Sequence, residues 1–172
     1  MNSLITLTAR EEKNMRVVES VSGPIEYQTT QLATLGVYDE YLSIHKAYSR
    51  LLIDDSSQEA VKRALFIQWY CLAEPSFLSG IWDIDPLAEL AVCTHLDSLL
   101  RDGQMDAELT EMLQYYASWE YGFQCPDFQH LLALQSFVTQ WMNGDFGLFS
   151  SLRMSDMANR GQMGRYWLSW GG

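Results

Sequence analysis

Residues 56–74 constrain the fold more than any other stretch. Ser56-Ser57-Gln58-Glu59 has the S-x-x-E spacing of a capping box, in which the serine covers an end amide and the glutamate reaches back. Lys62 and Arg63 make the first turns polar. Ala64-Leu65-Phe66-Ile67-Gln68-Trp69-Tyr70-Cys71-Leu72-Ala73 follows, apolar on every face of a helix. Such a helix needs neighbours on several sides. Pro75 ends it, because the residue before a proline leaves helical geometry. The spacing therefore predicts a central buried helix at about 57–74, with the other segments wrapped around it.

The rest of the chain can supply those neighbours. From Val37 to Ile53, the residues Val37, Tyr41, His45, Tyr48 and Leu52 fall on one stripe, and Glu40, Ser43, Lys46 and Arg50 lie opposite. Residues 75–85 read as a loop whose large apolar side chains pack down. Asp85-Pro86 is an N-cap followed by proline at the first helical position. That helix runs to about Arg101, and Gly103 closes it. Asp106 caps a helix carrying Leu109, Met112, Leu113 and Tyr116, which Gly122 stops. Pro126 opens another with Phe128, Leu131, Leu134, Val138 and Trp141, stopped at Asn143-Gly144. A short helix at about 146–158 precedes the tail.

The two ends are less determined. Thr8-Ala9-Arg10-Glu11 has capping-box spacing, whereas Met15 to Val21 is rich in β-branched residues and reads equally well as a short strand. Gly23-Pro24 breaks the chain before a new helix. Residues 161–172 carry Trp167 and Trp170, which argues for a docked tail. The expected architecture is all-α: one domain over 1–172, a bundle of six to eight helices, with 1–22 and 161–172 as extensions packed on it.

Composition supports a real core. Of 172 residues, 48% are hydrophobic, enough for a chain of this length to fold without a disulfide or metal staple. The cysteines, Cys71, Cys93 and Cys125, are odd in number and form no C-x-x-C, so neither a disulfide framework nor a zinc cage is expected. Free thiols, the lack of a charged-then-apolar leader and the lack of a long apolar run place the expectation in the cytoplasm, away from membranes. Nucleotide-binding loops, dinucleotide fingerprints, the nucleophile elbow and H-E-x-x-H are all missing, and no cofactor is expected.

The formal charge is −11, and it is lopsided: between Glu74 and Asp145 twelve acids face one base, Arg101. Such a middle repels nucleic acid and favours a cationic partner. The first functional expectation is therefore a non-enzymatic interaction protein, adaptor- or immunity-like, that binds or regulates a more basic protein. The alternative is a small-molecule-binding protein or enzyme with a pocket lined by Tyr41, His45, Tyr48, Gln68, Glu74 and Trp82. There His45 would be the base and Glu74 the acid or orienter. A third reading is an oligomer closed by Trp167 and Trp170.

Each candidate also has a plainer structural role. His45 and Gln68 lie among apolar neighbours, where a buried imidazole and amide need hydrogen-bond partners and could find each other. Glu74, Asp83 and Asp85 lie close in sequence but match no calcium loop, and Asp85 already serves as a cap. Cys125 and His130 sit on different helix faces, and His95 reads as a surface residue.

Overall fold

The computed structural model describes residues 3–54, 58–119, 122–142 and 150–170. Nine α-helices form among them, where six to eight are expected: α1 (Leu4–Ser20), α2 (Ile25–Thr34), α3 (Val37–Ser49), α4 (Glu59–Ala73), α5 (Ser76–Ser79), α6 (Pro86–Arg101), α7 (Ala107–Ala117), α8 (Leu132–Trp141) and α9 (Gly161–Ser169). Single 3-10 turns occur at Pro126–Phe128 and Met154–Met157. The described residues contain no strand. None of their helices is long and apolar enough to cross a membrane.

α4 is the rod of the bundle. All ten residues from Ala60 to Trp69 are buried, and α4 packs against α3, α5, α6, α7 and α9. Continuous burial demands what the sequence provides, a helix apolar on every face. Glu74 is extended, with φ −127° and ψ 136°, ahead of Pro75. The helix has surfaced by then: Leu72 is 62% exposed. At the other end Ser56 lies outside the described residues. The residue before the helix is Gln58, left-handed at φ 60°. Its amide donates to the Gln104 carbonyl at 2.7 Å and accepts from the Asp106 amide at 3.1 Å, which ties the start of α4 to the start of α7.

The N-terminal segment is helical through Ser20, so the strand alternative at 15–21 does not hold. α1 packs along α3 and α9, and Val17, Val18 and Val21 lie against the core. Tertiary burial outweighs the modest helix penalty of β-branched residues. The capping box at Thr8 is also displaced. Ser3 caps α1, accepting from the Thr6 amide at 3.2 Å. Thr8 lies within the helix and donates back to the Leu4 carbonyl at 2.9 Å.

The caps at Asp85 and Asp106 form, each aspartate accepting from the amide three residues on, at 3.0 and 2.7 Å. Two boundaries differ. α7 ends at Ala117, before Gly122, and Pro126 opens only a 3-10 turn, with α8 starting at Leu132. The stop at Asn143-Gly144 and the start of the 146–158 segment lie outside the described residues; Met154–Met157 within that segment is a 3-10 turn.

α8 has no local side-chain cap. Its first amides, those of Ala133 and Leu134, instead donate to the buried Asp97 of α6, at 2.9 and 3.0 Å. Asp97→Ala would leave two partly or fully buried donors unmet, a loss of about 2 kcal/mol. Asp97→Asn, which keeps an acceptor, should recover most of it. Urea midpoints of the two variants measure the difference.

The tail docks through α9. Trp167 is fully buried, and its indole N–H donates to the Tyr116 hydroxyl at 3.2 Å. Gly161 opens α9 at φ +61°, and a Cβ there would run into the Glu11 carboxylate. Only glycine combines that conformation with so close an approach.

Candidate functional site

The six residues of the sequence-predicted pocket divide into two groups. Tyr41, His45 and Tyr48, on the inner stripe of α3, and Gln68, on α4, are buried. Glu74 and Trp82 line a surface groove of about 480 Å³ with Leu72, Pro75 and Ile81.

Within the buried group, His45 and Gln68 meet: Gln68 Nε2 lies 3.0 Å from His45 Nε2. The same amide nitrogen faces the Glu89 carbonyl at 3.4 Å. A carbonyl only accepts, so the nitrogen is oriented as donor and the imidazole Nε2 as acceptor. The ring proton then resides on Nδ1, which has no partner among the described residues. Burial, partly offset by the charge of Asp85, lowers the His45 pKa to about 4. The ring is neutral at ordinary pH and sealed from solvent.

Tyr48 is fully engaged. Its hydroxyl donates to Glu11 Oε1 at 2.5 Å and accepts from Arg63 at 3.1 Å. Tyr41 differs: its buried hydroxyl has no hydrogen-bond partner among the described residues.

Around Tyr48 lies a buried ionic network that sequence reasoning missed. Arg63, 5% exposed, contacts Glu59 at 2.6 Å and also donates to the Thr8 hydroxyl. Arg160 reaches Glu59 and Glu108 with both ends of its guanidinium. Lys62 bridges Asp106 at 2.6 Å and Glu108 at 3.0 Å. Glu11 accepts from the Gln162 amide at 2.8 Å. Burial raises the Glu11 pKa, against the lowering effects of Tyr48, the Gln162 amide and Arg63. This network joins α1, α3, α4, α7 and the head of α9. With Lys62, Arg63 and Arg160 each held by carboxylates, it clamps these elements together. Glu11, its capping role displaced, was the available signal: a carboxylate facing inward on α1.

The exposed acids are arranged differently. Around the end of α4, the 75–85 segment and α6, Glu89 is half-buried, and its pKa is raised first by burial and then by the charges of Asp83 and Asp127. Cys71 is pushed up to about 11 by burial and by Asp83 and Glu89. Burial, Glu89 and Cys125 raise Cys93 further. These thiols are poor nucleophiles at neutral pH. Asp85 stands apart, paired with Lys46 at 3.0 Å. Among the described residues, no group of three or more His, Cys, Asp or Glu side chains is placed to hold a metal ion.

Beside this acidity, Trp82 is 60% exposed and packs on Tyr38 with ring centroids 5.6 Å apart. Of the remaining histidines, His95 is half-buried along a groove with Leu52, Ile53 and Leu87, and His130 is exposed. Comparisons with protein-family models, with curated proteins and with solved structures find no match.

Proposed function

We propose that this chain is a non-enzymatic interaction protein that docks a more basic protein on the acidic, aromatic face formed by the end of α4, the 75–85 segment and the start of α6. The supporting observation is the combination found there. Leu72 and Trp82 are large apolar side chains left mostly in water. They share a groove with Glu74, while Asp83 and Asp127 act on the carboxyl of Glu89. An exposed aromatic supplies a contact anchor. Carboxylates that repel one another are relieved by a bound cation. Lys62, Arg63 and Arg160 are meanwhile committed to internal carboxylates, which leaves the outer surface with fewer cations than the composition suggests.

A lysine- and leucine-rich amphipathic peptide serves as the probe. Titration followed by amide and indole NMR shifts should perturb Trp82, Leu72 and Glu89, with affinity falling as salt is added. Trp82→Ala, or Asp83→Lys with Glu89→Lys, should weaken binding at least tenfold. Shifts centred on another face, or affinity indifferent to these substitutions, would refute the reading.

A further inference from the structure

The groove on the docking face is built on the C-terminal end of α4. Cys71, Leu72 and Ala73, the last residues of that helix, line it together with Glu74, Pro75 and Trp82. The last carbonyls of a helix have no partner within it, and here the chain that follows supplies none. The Glu74 amide donates to the Tyr70 carbonyl at 3.0 Å. Pro75 has no N–H to offer Cys71. The amides of Leu78 and Ser79 turn back to the Pro75 carbonyl, at 2.9 and 3.0 Å. The carbonyls of Cys71, Leu72 and Ala73 therefore accept no hydrogen bond among the described residues. They carry the partial negative charge of the helix end, the Glu74 carboxylate follows directly, and none of the groove's lining residues is basic.

From this arrangement we infer that the anchor of the docked partner is a lysine side chain, its primary ammonium seated on the end of α4 between those carbonyls and the Glu74 carboxylate. The inference rests on the docking reading above and narrows it from a basic partner to one read through lysine. Successive carbonyls are turned by about 100° around a helix axis and point along it, so the last ones surround a point just beyond the helix end. An ammonium presents its N–H groups splayed about a single axis, which matches that ring. A guanidinium holds its donors in one plane, which suits a carboxylate fork instead. The apolar stem of lysine can lie along Leu72, Pro75 and Ile81. Trp82 packs on Tyr38 with the rings tilted by 43°. The pair forms one aromatic wall, not the enclosure that recognises a methylated ammonium.

Versions of the lysine- and leucine-rich peptide with equal charge test this. One keeps its lysines, one has arginine at every lysine position, and one has N,N,N-trimethyl-lysine there. Charge alone, which is all the docking reading needs, ranks them alike. A lysine anchor should make the first bind about tenfold more tightly than either of the others. It should also shift the carbonyl-carbon resonances of Cys71, Leu72 and Ala73 saturably. Glu74→Gln should weaken the lysine peptide about fivefold. Equal affinities, with shifts still centred on Trp82 and Leu72, would overturn the lysine anchor and leave the docking face standing. Tighter binding of the trimethyl peptide would do the same, since it would move the anchor to the aromatic wall. Shifts centred on another face would overturn both. The peptide series uses the wild-type chain and does not depend on any variant folding.

Discussion

Lowering the pH from neutral to about 4 should cost the fold about 3 kcal/mol through His45 alone. Unfolded, the imidazole takes a proton near its ordinary value of about 6.5. Folded, it resists until about 4, chiefly because burial penalises the cation. The unfolded state therefore binds more protons across this window. The contribution is fully present above about 6.5 and drains away as pH falls through the folded value. Protonation would also cost the acceptor role of Nε2 toward Gln68. His45→Gln, a neutral side chain that still offers an acceptor, should flatten the profile of urea midpoint against pH between about 6.5 and 4.5. His95, also lowered by burial, acts in the same direction from a more open position. Glu11 acts oppositely: its raised carboxyl favours the fold below the usual glutamate range and loses that contribution as pH rises through its folded value. Comparing wild type with His45→Gln isolates the histidine. Parallel profiles would mean that solvent reaches the ring.

The pairing of His45 with Gln68 shows what a sequence can reveal. Both sit among apolar residues at helical spacing, and a buried amide and imidazole have few other ways to be satisfied. The stripe Val37, Tyr41, His45, Tyr48 and Leu52 is buried as its period implies, and the caps at Asp85 and Asp106 were readable because capping is local. The ionic clamp was not. Lys62 and Arg63 look like an ordinary polar first turn, yet their surroundings come from α1, α3, α7 and α9, brought together only by the fold. Asp97 reads as a helix-surface acid and instead caps another helix. The charge asymmetry of the middle of the chain and the closeness of Trp82 to Glu74, Asp83 and Asp85 are legible in the sequence, but the groove that Trp82 and Glu74 share with Leu72 is not.

Arg160→Met should destabilise the fold by about 3 kcal/mol, because breaking a buried ion pair strands its partners in low dielectric. That figure is at the low end for such losses, since Glu59 keeps Arg63 and Glu108 keeps Lys62. The second-site pattern is more diagnostic than the single value. Adding Glu108→Gln leaves two balanced pairs, Arg63 with Glu59 and Lys62 with Asp106, so it should recover much of the loss. Adding Glu59→Gln removes the carboxylate partner of Arg63 and leaves Lys62 with two, so it should recover little. Urea denaturation of the three variants measures all these outcomes. A cost below about 1 kcal/mol for Arg160→Met, in the range of exposed pairs, would show that water screens the network. The docking of α9 would then rest on Trp167, the Glu11–Gln162 contact and the exposed Arg165–Glu19 pair.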